Sequence, residues 1–132
     1  MKRMMKMFRK YFSIGAICAA LAIALGAFGA HGLKEIVSER MLQNFETGVR
    51  YQMFNALGLM LIALASTMVK NYKKLTTGAI LIIIGIIIFS GSLYIMALTG
   101  KTILGAITPI GGVSLIAGWI FVVWGIAGNK ED

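Results

Sequence analysis

Apolar positions in this chain fall into four long blocks separated by short charged stretches. Residues 11–33, 51–69, 75–100 and 102–129 contain no Lys, Arg, Asp or Glu. Each block approaches or exceeds the ~20 residues needed to cross a hydrocarbon core of about 30 Å. Open sheet edges cannot face lipid, so the blocks are predicted as helices, even across the β-branched run 82–88. The expected spans are 12–30, 51–69, 75–98 and 103–127, forming one membrane domain over residues 1–132.

Small residues recur along these blocks at helical spacing. Gly15, Ala19, Ala22, Gly26 and Gly29 make one stripe, and Gly78, Gly85, Ser92 and Thr99 make a second. Gly111, Gly118 and Gly125 make a third. Thin faces let helix backbones approach closely, which favours left-handed packing at about +20°. The predicted fold is an all-α integral membrane protein, a compact four-helix transmembrane bundle.

Between the first two blocks, Leu33, Ile36, Val37, Met41, Phe45 and Val49 keep a helical apolar period. Lys34, Glu35, Glu39, Arg40 and Glu46 fall largely off that stripe. A short amphipathic helix is expected here, lying on the outer membrane surface or capping the bundle.

Composition agrees with the pattern, at 58% hydrophobic and 14% charged residues. The net charge of +8 would suggest nucleic acid in a soluble protein, but its distribution argues otherwise. Lys2, Arg3, Lys6, Arg9, Lys10, Lys70, Lys73, Lys74 and Lys130 share one side if the blocks alternate. Lys34, Arg40, Arg50 and Lys101 share the other. The positive-inside rule then places both termini in the cytoplasm and the protein in the cell membrane. The basic N-terminus is expected to meet anionic lipid headgroups, and no nucleic-acid partner is expected. That N-terminus and the small residues near position 30 resemble a secretory signal. The apolar run is longer than a usual signal core, so the first helix is expected to be retained.

Candidate chemistry is sparse. Cys18 is the only cysteine and His31 the only histidine, so no metal site is predicted. No apolar block carries the buried carboxylate or lysine that proton-coupled carriers generally need. The hydroxyls lack a base with an orienting acid, so no catalytic residue, cofactor site or enzyme activity is expected. His31, at the outer end of the first helix, is a candidate pH-sensitive residue, with plain interfacial hydrogen bonding the alternative.

Gln52 and Asn55 share a face of the second helix. Exposed to lipid each amide would be costly, so both should face the bundle. With Ser90, Tyr94 and Thr108 they form a candidate polar pocket toward the outer half of the membrane. Trp119 lies deep enough that its indole N–H should find a partner inside the bundle. Pro109, the only proline, either kinks a helix beginning near Thr102 or sits in the first turn of a helix capped by Thr108. The kink is the expected arrangement, because 102–127 otherwise reads as one long span.

GAFGAHGL at 26–33, YQMFNALGLM at 51–60, FSGSLYIMALTG at 89–100 and ITPIGGVSLIAGW at 107–119 supply a further clue. In this order they resemble the small membrane proteins of domain of unknown function 423, also termed uncharacterised protein family 0382. These are related to transmembrane protein 256 of animals. The resemblance spans about residues 12–127 and implies four spans with no established biochemical activity. It also implies a histidine where this chain has Asn55, which keeps hydrogen bonding but cannot transfer a proton.

Two functional classes follow. In the first, the protein is structural or accessory, packing its thin faces within itself and against its own copies or another membrane protein. In the second, it is a passive channel or facilitator for a small polar solute, acting as an oligomer. An open polar pocket would favour the second, and polar groups paired in a dry core the first.

Overall fold

The computed structural model describes residues 1–129, so Lys130 of the basic set lies outside the described residues. Four α-helices follow one another: α1 (Lys2–His31), α2 (Glu39–Ala65), α3 (Lys73–Thr99) and α4 (Thr108–Ala127). Short 3₁₀ turns stand at Leu33–Glu35 and Thr102–Ala106, and there is no strand among the described residues. All four helical segments are long and apolar enough to cross a membrane. The chain is an all-α, four-helix membrane protein.

The helices pack in chain order, α1 on α2, α2 on α3, and α3 on α4, with no substantial seam joining α1 to α4. The inner pair α2 and α3 each bury 44% of their most apolar window within the chain, against 17% for α1 and 22% for α4. The outer pair therefore leaves most of its surface outside the bundle. A main core joins Tyr11, Leu59, Ile62, Leu75, Ile82 and Leu115 from all four helices. A smaller core of Leu33, Phe45 and Ala97 closes the opposite end.

Close approach explains the glycine spacing in α3 and α4. A Cβ on Gly78 would stand 2.7 Å from the carbonyl oxygen of Gly118, and one on Gly118 would stand 2.9 Å from that of Gly78. Gly111 lies so near the backbone of Phe89 that any side chain would overlap it. These two helices touch backbone to backbone. In α1, Gly15 plays the same part, since its Cβ would reach 2.7 Å from the Ala56 carbonyl oxygen.

The basic N-terminus is part of this architecture. Residues from Lys2 onward belong to α1, with Met7 and Tyr11 buried four residues apart and the charged side chains facing out. α1 thus runs unbroken through the small-residue region near position 30.

Three local outcomes differ from the sequence reading. The amphipathic stretch after α1 is not a separate surface helix. Its chain turns at Leu33–Glu35, Ser38 accepts a hydrogen bond from Met41 N at 3.2 Å, and the first turns of α2 carry the rest. The apolar stripe is used against the bundle, with Phe45 1% exposed beside Gly29 and Tyr94, while Ile36 at 73% is left outside. The helix that carries the second expected span, 51–69, therefore begins at Glu39.

α2 also stops earlier than position 69. Ser66 and Thr67 donate their hydroxyls to the carbonyls of Ala63 and Leu64 at 2.6 and 2.7 Å, closing a tight turn that competes with the helical ladder.

The third difference concerns Pro109, which does not kink a long helix. It stands in the first turn of α4, where its missing N–H removes no helical bond and its fixed φ suits the helix start. The 3₁₀ segment before it carries the chain down from Gly100, which ends α3 at φ +73° and donates to Met96 O at 2.8 Å. Thr108 is not the cap either. Ile107 occupies that position, and its carbonyl accepts from Ile110 N and Gly111 N at 3.0 and 3.5 Å. The amides of Ile110 and Gly111 are therefore engaged by the helix's own first turn.

Candidate functional site

Gln52 and Asn55 lie on the buried side of α2, 5% and 6% exposed, and their amides reach in different directions. Gln52 donates through Nε2 to the Cys18 carbonyl of α1 at 2.8 Å and accepts through Oε1 from the Tyr94 hydroxyl of α3 at 2.6 Å. One side chain thus ties three helices together. Asn55 donates to the Tyr51 carbonyl one turn back at 2.8 Å and accepts from the Trp119 indole N–H of α4 at 2.9 Å. Trp119 finds the interior partner its depth required.

The hydroxyls are used in the same way. Ser90 donates to the Gly48 carbonyl across the α2–α3 seam at 2.7 Å, and Ser114 donates to the Leu81 carbonyl across α3–α4 at 2.7 Å. Ser92 and Thr108 share a short hydrogen bond that pins the first turn of α4 to α3. Each arrangement has the same physical logic. A hydroxyl or amide in a span must find a partner within the protein, and a neighbouring helix supplies one.

Of the five side chains expected to share a pocket, Gln52, Tyr94 and Ser90 gather around Gly48, where Ser90 bonds the Gly48 carbonyl beside the Tyr94 ring, while Asn55 and Thr108 each take another partner. Gln52 and Tyr94 form one pair, Asn55 and Trp119 another, and Thr108 belongs with Ser92. Every fully buried side-chain nitrogen or oxygen among the described residues has a hydrogen-bond partner. His31, the last residue of α1, is exposed and stands apart from this set.

Some participants were not legible from residue type. The Cys18 and Gly48 carbonyls are backbone acceptors, which no side-chain pattern reveals. Gly48 did carry a signal, lying one turn before Gln52 on the same face. Its lack of a side chain admits the Tyr94 ring, whose edge would stand 2.7 Å from an added Cβ.

Gly58 seats the other aromatic group in the same fashion, against the six-membered ring of Trp119. Over the Asn55–Trp119 pair a lateral slot of about 330 Å³ opens between α2 and α4, walled by Tyr51, Phe89 and Ile116. It is largely apolar. Among the described residues no three His, Cys, Asp or Glu side chains come together in a way that could hold a metal ion.

Four spanning helices, a core tied by uncharged polar pairs and broad lipid-facing flanks define a multi-pass α-helical membrane protein. The chain belongs to the family described as "Protein of unknown function (DUF423)", which matches residues 25–112. The match is narrower than the region of resemblance in the sequence and leaves out most of α1 and most of α4.

Similar proteins extend further. The UPF0382 membrane protein YwdK of Bacillus subtilis is 48% identical over 113 residues, covering 86% of this chain and 92% of its own. The UPF0382 membrane protein SH2409 of Staphylococcus haemolyticus is 43% identical over 113 residues, covering 86% and 91%. A UPF0382 membrane protein of Haemophilus influenzae is 38% identical over 122 residues, covering 92% and 97%. No solved structure matches the chain.

Proposed function

We propose that this protein is a structural or accessory component of a membrane assembly and catalyses no reaction of its own. The observation that carries this reading is the pairing of polar side chains inside the spans. Their donors and acceptors are taken up between helices or within one helical turn, leaving no buried side-chain nitrogen or oxygen without a partner among the described residues. A solute path needs groups that can exchange partners as the solute passes. A proton path needs a titratable group within the spans; the apolar blocks contain no Asp, Glu, Lys or Arg, and their one histidine, His31, stands exposed at the end of α1.

The flanking helices supply the surfaces for assembly. α1 turns Ile17, Leu21 and Ile23 outward, and α4 turns Ile116, Ile120 and Val123 outward. A second copy of this chain or another membrane protein would pack there. The basic end, which holds the N-terminus and the end of α4, faces the cytoplasm of the cell membrane in this reading, with the N-terminal cluster of α1 against anionic headgroups.

Proteoliposomes test the proposal directly. Purified protein should give no small-solute flux above protein-free vesicles, and mild-detergent extraction should retain a stoichiometric protein partner or a second copy. Flux that disappears in Asn55→Leu would overturn it in favour of a solute facilitator. A reporter fused after Asp132 should be active only in the cytoplasm, and an external signal would reverse the orientation.

A further inference from the structure

A pocket of about 420 Å³ opens at the basic end of the molecule, between the α2–α3 turn and the end of α4. Lys70, Lys73 and Lys74 line it together with Asn71, Trp124 and Asn129. Hydrogen bonds hold its frame. Asn129 donates through Nδ2 to the carbonyls of Asn71 and Gly125 at 2.8 and 3.1 Å, and accepts from Lys70 N at 3.3 Å. Asn71 in turn accepts from Lys73 N through Oδ1 at 3.0 Å. The asparagines therefore fix the turn against the end of α4 and define the cavity between them.

The charge in this pocket is concentrated. Lys73 and Lys74 open α3, whose first turn carries no acidic residue. A helix N-terminus is already positive, so two ammonium groups there add like charge to like. Lys74 Nζ sits 3.9 Å from the Trp124 ring centroid, which holds the ammonium against the pocket wall without neutralising it. The described acidic residues, Glu35, Glu39 and Glu46, all stand at the opposite end.

We propose that this pocket binds the phosphodiester headgroup of an anionic phospholipid. Three features favour a lipid over a free phosphate. The pocket lies where two spanning helices meet the interface, at the start of α3 and the end of α4. The Trp124 ring is 53% exposed beside it, in the position interfacial tryptophans take at headgroup depth. Ile120 and Val123, the next outward residues toward the span, are 59% and 66% exposed and offer acyl chains an apolar track. This site is separate from the N-terminal cluster and does not depend on the accessory role proposed above.

The test uses full-length protein in detergent, with native mass spectrometry after addition of phosphatidylglycerol or phosphatidylcholine. The chain should retain one phosphatidylglycerol in preference to phosphatidylcholine. Lys73→Gln with Lys74→Gln should weaken retention by roughly tenfold or more, as expected for losing two lysines at a membrane surface. The Lys73→Arg, Lys74→Arg pair should restore it, and unchanged thermal melting of each variant would show that the fold is intact.

Lys2→Gln with Lys6→Gln should change retention by less than about twofold, because those charges lie outside the pocket. An equal loss there would reduce the effect to general attraction and overturn the site. Equal retention of phosphatidylcholine would overturn headgroup recognition. Displacement by millimolar inorganic phosphate would identify a soluble-anion site instead. Glu131→Gln with Asp132→Asn, which removes the acidic groups next in sequence, should strengthen retention or leave it unchanged. A loss in that variant would move the site off the lysines.

Discussion

The α3–α4 seam and the joins made by α2 solve one problem in two ways. Lipid tails are as apolar as the helices they surround, so water provides no drive to bring spans together. α3 and α4 respond mainly with proximity, which the Ser114–Leu81 and Ser92–Thr108 hydrogen bonds supplement. Gly78 faces Gly118, Leu115 fills the space left by Gly85, and Gly111 rides on the Phe89 backbone. α2 responds with directed bonds, Gln52 reaching α1 and α3 and Asn55 reaching α4. The first device tolerates no added atom, whereas the second loses only what an interhelical hydrogen bond contributes. A seam made of absences should therefore be more fragile to substitution than one made of contacts.

Unfolding titrations in bicelles can break or sharpen that contrast. The largest effect is expected from Gly118→Leu, which drives a side chain into Ile82 and the Gly78 carbonyl and should cost about 3 kcal/mol. A loss below about 1 kcal/mol would mean that the helices can move apart freely, ending the argument from close approach.

Gly58→Ala comes next, at about 2 kcal/mol, because its methyl group meets the Trp119 ring. In a Trp119→Leu background the same change should become neutral or gain up to about 1 kcal/mol, since alanine is the better helix former. Additive losses in this double-mutant cycle would dissociate the glycine from the ring.

Gln52→Leu should cost about 1.5 kcal/mol, near the upper end for a membrane hydrogen-bonding side chain, because it serves two helices. Tyr94→Phe should cost about 0.6 kcal/mol, and the two changes together should be less than additive. Strict additivity would show that the Tyr94–Gln52 bond contributes nothing measurable. Least of all should come from His31→Gln, within about 0.5 kcal/mol of the unaltered protein, since that residue is exposed and outside the network. A larger effect would tie the end of α1 to the core in a way its position does not suggest.

Sequence and structure divide the explanation at a physical boundary. The number of helices, their all-α character and most of their inward faces were legible in the chain. Each follows from a local requirement: a span in lipid must satisfy its own backbone, and a thin stripe must face another helix. The inward turn of Gln52 and Asn55 was legible for the same reason, because an unpaired amide in lipid is costly.

Tertiary structure alone decided which partner each group takes. Gln52 and Asn55 look like neighbours in one pocket by spacing, yet the placement of α3 and α4 beside α2 gives one Tyr94 and the other Trp119. Pro109 is compatible locally with a kink or a helix start. In the folded chain a 3₁₀ descent from Gly100 brings Thr108 onto Ser92, and the helix begins there. Residues 39–50 have an amphipathic period that suits a surface helix equally well, until Phe45 finds its place between Gly29 and Tyr94. Local pattern determines what must be buried or bonded. Only the mutual placement of the helices determines with what.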